Sequence, residues 1–361
     1  MSLQVNTILS GLQSVHDPLT GLPLGHKFKE KDLQIKGDTV TVRLNLGYFP
    51  AGDKDNIEQQ VKDACRKAGA AQTEISYLDG IKAHAVQAGL KPIASIKNII
   101  AVASGKGGVG KSTTSVNLAL ALAQSGAKVG ILDADIYGPS QPLMLGVSGK
   151  PESLDGKSME PLQAHGVYVN SIGFLIDPDM PAIWRGPMVT QALQQLLEQT
   201  NWPNLDYLVI DMPPGTGDIA LTLAQKVPVV GAVIVTTPQD IALADARKGL
   251  RMFQKVNVPI LGLVENMSMH VCSNCGHIEH LFGQDGGRKM AQELDVPWLG
   301  GLPLTLAIRE QTDSGKPTVI SDPDSEAAGL YRNIARKVAI QVSNQPVDMA
   351  GKFPSVVVKP L

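Results

Sequence analysis

The 361-residue chain carries 18% charged and 43% hydrophobic residues and a formal net charge of −2. That balance fits a soluble globular protein with a sizeable core and room for two or three domains of roughly 150 residues, and it points to neither nucleic acid nor a membrane surface as partner. No run approaches the roughly 20 apolar residues that span a bilayer, and Met1 to Asn6 lacks the layout of a signal peptide, so a cytoplasmic protein is expected.

Residues 1–80 are predicted to form a small α/β accessory domain. Thr39 to Leu46 alternates with a period of two, as a half-buried strand does, and Asp55 to Ala68 places Ile57, Val61, Ala64, Cys65 and Ala68 on one helical stripe. Cys65 is therefore expected in the core of that unit. Residues 81–97 have weak periodicity and are taken as a linker. From Asn98 onward, strands alternate with helical patterns, the signature of a mostly parallel sheet covered by helices on both faces. The predicted strands are Asn98 to Ala103, Lys128 to Asp133, Leu205 to Asp211, Val229 to Thr236, Pro259 to Glu265 and Pro297 to Leu302. Helices are predicted from Thr113 to Gln124 and from Ser325 to Ser343, the latter with Leu330, Ile334 and Val338 on one side. This larger domain thus spans 98–343, and the tail 344–361, with three prolines and no amphipathic pattern, argues against a membrane anchor.

The first predicted strand of that domain runs into Gly105-Lys106-Gly107-Gly108-Val109-Gly110-Lys111-Ser112, followed by Thr113 at the start of a helix. In this pattern consecutive backbone N–H groups close around a polyphosphate, the lysine at Lys111 reaches its terminal phosphates, and Ser112 ligates Mg²⁺. The helix N-terminus adds its dipole. Lys106 is one lysine more than the loop needs, and a cation there can point toward a nucleotide held by a second copy.

Two acidic positions fall at strand ends, where open α/β sheets hold their ligands. Asp133-Ala134-Asp135 follows one strand, with its two carboxylates expected on the same side by alternation. Asp211 ends another and leads into Met212-Pro213-Pro214-Gly215-Thr216-Gly217-Asp218. Asp211 is assigned to hold Mg²⁺ through water, the Gly215 N–H to approach a γ-phosphate, and Asp135 to orient the attacking water. Lys106 would neutralise charge on the transferring phosphoryl group, as an arginine finger does. No Asn-Lys-x-Asp sequence occurs, which argues against guanine, and Asn266 is the candidate for hydrogen bonding to adenine.

Of the three cysteines, Cys272 and Cys275 lie three apart around a predicted turn, with the Gly276 N–H available to sulfur. Such a pair serves as half of a zinc site, a redox dithiol or two ligands of an iron–sulfur cluster. His270, His277 and His280 lie near enough in sequence to make single-chain zinc conceivable. No second CxxC exists, but a two-fold dimer would supply one.

The loop Lys106 to Ser112 resembles the deviant Walker A of the MinD/ParA class of dimeric ATPases. Asp133-Ala134-Asp135-Ile136-Tyr137-Gly138-Pro139-Ser140, Trp184-Arg185-Gly186-Pro187, Asp211 to Asp218 and Glu265-Asn266-Met267-Ser268, together with the cysteine pair, resemble its Mrp/ApbC branch, the iron–sulfur cluster carriers, over about residues 95 to 340. The preceding region, with His16-Asp17-Pro18, is similar to a small domain found in iron–sulfur assembly factors. The resemblance implies an α/β P-loop NTPase fold and a homodimer that binds ATP and Mg²⁺. It further implies a [4Fe-4S] cluster held between paired Cys272 and Cys275 and handed to apoproteins, with cluster scaffolds as further partners and no nucleic acid or membrane. It also implies that the residue at Lys106 contacts nucleotide across the interface and that the one at Asp135 serves hydrolysis. Three other readings stand beside this one: a MinD/ParA-like positioning ATPase, an ATP-dependent reductase like the nitrogenase iron protein, and a zinc-bridged dimeric ATPase. The first gives the cysteines no task, and the second uses cysteines far apart in sequence.

Overall fold

The computed structural model describes residues 3–78, 80–175, 186–272 and 274–348, with the side chains of Gly186 and Pro187 left out. Trp184-Arg185 of the predicted motif, Ser273 and the tail beyond Asp348 lie outside the described residues.

The N-terminal unit pairs three strands, β1 (Leu33–Lys36), β2 (Thr39–Leu44) and β3 (Gln72–Tyr77), in the order β1-β2-β3, the first pair antiparallel and the second parallel. Helices α1 (Val5–Leu12) and α2 (Lys54–Lys67) accompany them. The predicted stripe on α2 is the buried one: Ile57, Val61, Ala64 and Cys65 face inward, and Cys65 is a core residue.

The larger sheet contains nine strands. They are β4 (Ile96–Ser104), β5 (Val129–Asp133), β6 (Leu162–Ala164), β7 (Val167–Ser171), β8 (Leu205–Asp211), β9 (Gly231–Thr236), β10 (Ile260–Val271), β11 (Ile278–Glu279) and β12 (Trp298–Pro303). Their order is β11-β10-β9-β4-β8-β5-β7-β6, with β12 also pairing with β10. All pairs are parallel except the β6–β7 hairpin and the β10–β11 hairpin, neither of which was predicted. The helices are α3 (Lys111–Gln124), α4 (Gln141–Met144), α5 (Gly186–Glu198), α6 (Asp218–Lys226), α7 (Asp240–Lys255), α8 (Gly286–Glu293), α9 (Leu306–Asp313), α10 (Thr318–Ser321) and α11 (Glu326–Ser343).

β5, β8 and β9 are buried at every residue, as strands covered on both faces are. Alternation along β4 sorts its side chains between the two layers: Ile100 and Val102 join the apolar cluster on one face, Ile99, Ala101 and Ala103 that on the other. The first cluster also contains Val116 and Leu120 of α3 and Ile334 and Val338 of α11, and it continues without interruption into Ile8, Val42 and Val61 of the N-terminal unit.

A buried ion pair joins the two units. Arg336 of α11 donates from Nη1 to Asp17 Oδ2 at 2.9 Å, with both side chains at or below 5% exposure, and from Nη2 to Pro50 O at 2.6 Å. The Tyr48 hydroxyl donates to the same Asp17 oxygen at 2.8 Å.

The segment 81–97 is likewise stitched down. His84 is buried against Asn98 Oδ1 at 2.8 Å, and the Gln87 amide donates to Ala224 O and Val227 O while its Oε1 accepts from Val229 N–H. Buried polar backbone at the end of α6 needs those partners, which periodicity alone does not reveal.

Candidate nucleotide site and cysteine hairpin

β4 lies between β8 and β9 at the centre of the sheet, and the loop that leaves its C-terminal end, Gly105 to Gly110, caps the N-terminus of α3. Gly108 and Gly110 both have φ of +80°, a left-handed conformation that a side chain disfavours. At Gly105 a Cβ would collide with the Asp245 backbone of α7. Among the described residues, no N–H from Lys106 to Gly110 donates to a backbone carbonyl. A row of free donors at a helix N-terminus fits phosphate oxygens.

Lys111 is 5% exposed, with its ammonium 2.7 Å from Asp211 Oδ1, 3.2 Å from Ser112 Oγ and 3.7 Å from Asp135 Oδ2. Fully buried Asp211 also accepts from Ser115 Oγ at 2.8 Å and from Gln141 Nε2 at 2.9 Å. The predicted set Lys111, Ser112, Asp135 and Asp211 thus comes together. Burial pushes the Asp135 carboxyl up, with the neighbouring Lys111 opposing. Lys106 is partly buried, and its ammonium makes no ion pair among the described residues.

Four expectations are corrected. β5 ends at Asp133, so alternation does not carry to Asp135: Asp135 meets Lys111 from a loop, while Asp133 turns into that loop. Asp133 accepts from Asp135 N–H, Ser140 N–H, Gln141 N–H and Ser171 Oγ. It therefore orders the segment 134–141 and is enclosed rather than aimed at a ligand. Burial first, and Asp211 next, push its carboxyl up to about 7. The Gly215 N–H donates to Ser104 O at 2.9 Å, because that carbonyl at the end of β4 needs a donor, so it is not free for a γ-phosphate. Asn266 donates from Nδ2 to Val109 O at 2.9 Å, which leaves its second Nδ2–H and its Oδ1 to meet a base. The Gly276 N–H donates to Cys272 O rather than to sulfur.

Gln141 was missed. It is wholly buried, and its amide bridges Ser112 O and Asp211 Oδ2 while its own N–H holds Asp133. Its one signal was its position directly after the quoted run Asp133 to Ser140.

The same strand that carries Asn266 ends one residue before Cys272. β10 bulges between these points: Met267 has φ of +56°, and the register with β12 shifts between Glu265 and Met269. Beyond the bulge, β10 pairs with β11 to form a hairpin closed by Cys272 N–H to His277 O at 2.9 Å. Cys272 is half-buried and Cys275 exposed. The Asn274 and Cys275 N–H groups, and the Cys275 thiol, hold the Cys272 thiol below its ordinary range. His270 and His280 direct Nδ1 to Leu304 O and Ser268 O. Among the described residues no three His, Cys, Asp or Glu side chains converge as a metal-binding group, so the histidines do not complete a single-chain zinc site there.

A strand, a glycine loop and a helix, with a buried lysine and strand-end carboxylates around it, define a P-loop nucleoside triphosphatase of the parallel α/β class. The chain belongs to the NUBPL iron-transfer P-loop NTPase family, whose model matches residues 95–339. A second model, described as iron-sulfur cluster assembly protein, matches residues 6–77. Both resemblances read from the motifs are thereby borne out. The chain is 57% identical over 321 residues to the iron-sulfur cluster carrier protein of Salmonella typhimurium, covering 88% of this chain and 86% of that one. Its fold is similar to that of a nucleotide-binding protein of Archaeoglobus fulgidus solved with ADP, with TM-score 0.56, 38% identity and coverage of 62% and 88%. It is also similar to the cell division ATPase MinD of Pyrococcus furiosus, with TM-score 0.50, 27% identity and coverage of 67% and 98%. Among the described residues, no helix is long and apolar enough to cross a membrane.

Proposed function

We propose that this protein is an ATP-hydrolysing carrier that holds a [4Fe-4S] cluster between Cys272 and Cys275 of two copies and passes it to apoproteins in the cytoplasm. The observation that carries the reading is β10 itself: one strand touches the phosphate loop through Asn266 and presents two thiols just past its far end. A pair of thiols with no third metal-binding side chain converging on it among the described residues supplies half of a four-thiolate site, and a two-fold axis supplies the rest.

Exposed apolar side chains support the second copy. Tyr137, Ile241 and Leu306 are 67%, 69% and 64% exposed, and they follow the C-terminal ends of β5, β9 and β12, the edge that also carries the phosphate loop. Exposed apolar side chains along the edge that carries the phosphate loop fit a face that another protein covers.

The residues divide the hydrolysis among them. The free N–H groups of the loop bind phosphate oxygens, and Lys111 shifts its ammonium from Asp211 toward them. Ser112 and Asp211 are the residues that would hold Mg²⁺, which when bound offsets charge on the β and γ phosphates. Asp135, beside the ammonium, orients water. Lys106, without an ion-pair partner among the described residues, reaches across the dimer to the transferring phosphoryl group. Anaerobic reconstitution followed by iron, sulfide and zinc analysis tests the carrier reading. Four irons and four sulfides per dimer, lost in Cys272→Ala/Cys275→Ala with ATP binding retained, are expected; zinc alone, or iron content indifferent to both cysteines, would overturn it.

A further inference from the structure

A cavity of about 530 Å³ opens where the N-terminal unit meets the end of α11, far in sequence from both the phosphate loop and the cysteines. Residues from four parts of the chain converge on it: His26 to Asp32, Asn45 to Gly47, then Leu78 with Lys82 and His84, and Ser343 to Val347. The lining is strongly cationic. Among the described lining residues it sets Lys27, Lys29, Lys31 and Lys82 against one carboxylate, Asp32, in a chain whose overall charge is −2. None of these four ammoniums pairs with a carboxylate among the described residues.

The lysines are not equivalent. Lys29, Lys31 and Lys82 are exposed, as solvated surface lysines are. Lys27 is drawn inward, donating to Ser343 O at 3.0 Å and Ser343 Oγ at 2.7 Å at the C-terminal end of α11. Its neighbours His26 and His84 are already engaged, on Asn344 Oδ1 and Asn98 Oδ1. Burial, and then Lys29, push the Lys27 ammonium down to about 8. Like charges facing one concavity repel unless something negative lies between them.

We infer that this cavity is a binding site for a small multivalent oxyanion, a phosphate-bearing or polycarboxylate molecule held by Lys27, Lys29, Lys31 and Lys82. The volume is that of a small-molecule pocket. Bound there, the anion bridges the N-terminal unit, the segment 81–97 and the end of α11. The same helix packs on α3, whose N-terminus follows the phosphate loop.

The test uses the full chain with Mg·ADP saturating the phosphate loop, and titrates pyrophosphate and citrate calorimetrically at pH 8 in two buffers of different ionisation enthalpy. A saturable 1:1 heat is expected for at least one probe, and the preferred probe identifies the headgroup chemistry. Proton uptake should accompany citrate binding, because citrate is already fully ionised at pH 8 and an anion beside Lys27 restores its charge. The triple variant K29A/K31A/K82A changes only exposed side chains, so its fold should persist, and it should bind at least about tenfold more weakly. Lys27→Met should abolish the proton uptake. No saturable heat up to roughly 10 mM of either probe, equal affinity in the triple variant, or binding of a glutamate-rich peptide but of neither small anion would each overturn the assignment.

Discussion

The buried pair Asp17–Arg336 should decide whether the N-terminal unit stays docked. In Arg336→Met the side chain keeps most of its length and apolar contact but loses its charge and donors. Removing one partner of a buried ion pair typically costs about 3–5 kcal/mol. Here the lower end applies, because Asp17 keeps the Tyr48 hydroxyl on Oδ2 and Thr20 N–H and Oγ on Oδ1. The lost bond to Pro50 O adds about 1 kcal/mol. The contact with Asp53 Oδ2 at 3.2 Å adds less, since Asp53 is 31% exposed. A loss of about 3–4 kcal/mol follows. The assay is hydrogen exchange across β1, β2 and β3. If undocking precedes opening of that sheet, their protected amides should exchange on the order of 10²-fold faster in Arg336→Met. Asp17→Asn should be destabilising too, and the double variant should lose about 2 kcal/mol less than the sum of the singles, because neither leaves the other's charge stranded. Exchange within tenfold of wild type, or strictly additive losses, would refute the reasoning.

Three further outcomes are expected. Lys106→Ala should lose roughly 10³-fold or more of ATP turnover while equilibrium dialysis shows nucleotide binding retained; near-normal turnover would remove Lys106 from the reaction. Gln141→Ala deletes an amide that ties Ser112 O to the Asp211 carboxylate. That should cost about 2 kcal/mol, seen mainly as lower kcat and a higher Mg²⁺ requirement with little change in nucleotide affinity. Asp133, pushed up to about 7, binds its proton more tightly folded than unfolded. Its contribution to stability is therefore complete below about pH 4 and is lost as pH rises through about 7. The urea midpoint of the wild type should fall from pH 6 to pH 8 more steeply than that of Asp133→Asn, and parallel slopes would show that this carboxyl does not titrate there.

Much of this protein was legible because its signals are local. The phosphate loop is a run of eight residues whose backbone makes the site, so spacing sufficed to place Gly105 to Ser112, and Lys111, Ser112 and Asp211 do converge. The central strands are continuous apolar runs because both faces of a parallel sheet are covered. What escaped was the destination of individual polar groups. The N–H groups of Gly215 and Gly276 and the carboxylate of Asp133 each matched a ligand role by type and position, yet each is taken up by a hydrogen bond to the chain's own backbone.

Composition and motif alone determined the class of fold, the phosphate loop and the presence of two thiols needing more ligands, since these depend on residues adjacent in the chain. Tertiary structure alone decided that β10 runs from the loop to the cysteines through a bulge at Met267, and that Gln141 locks Asp211 to the loop. It also decided that Asp17 finds its counter-ion 319 residues away and that four lysines face one cavity. Such pairings depend on which surfaces meet when the units pack, and spacing along the chain carries no record of that.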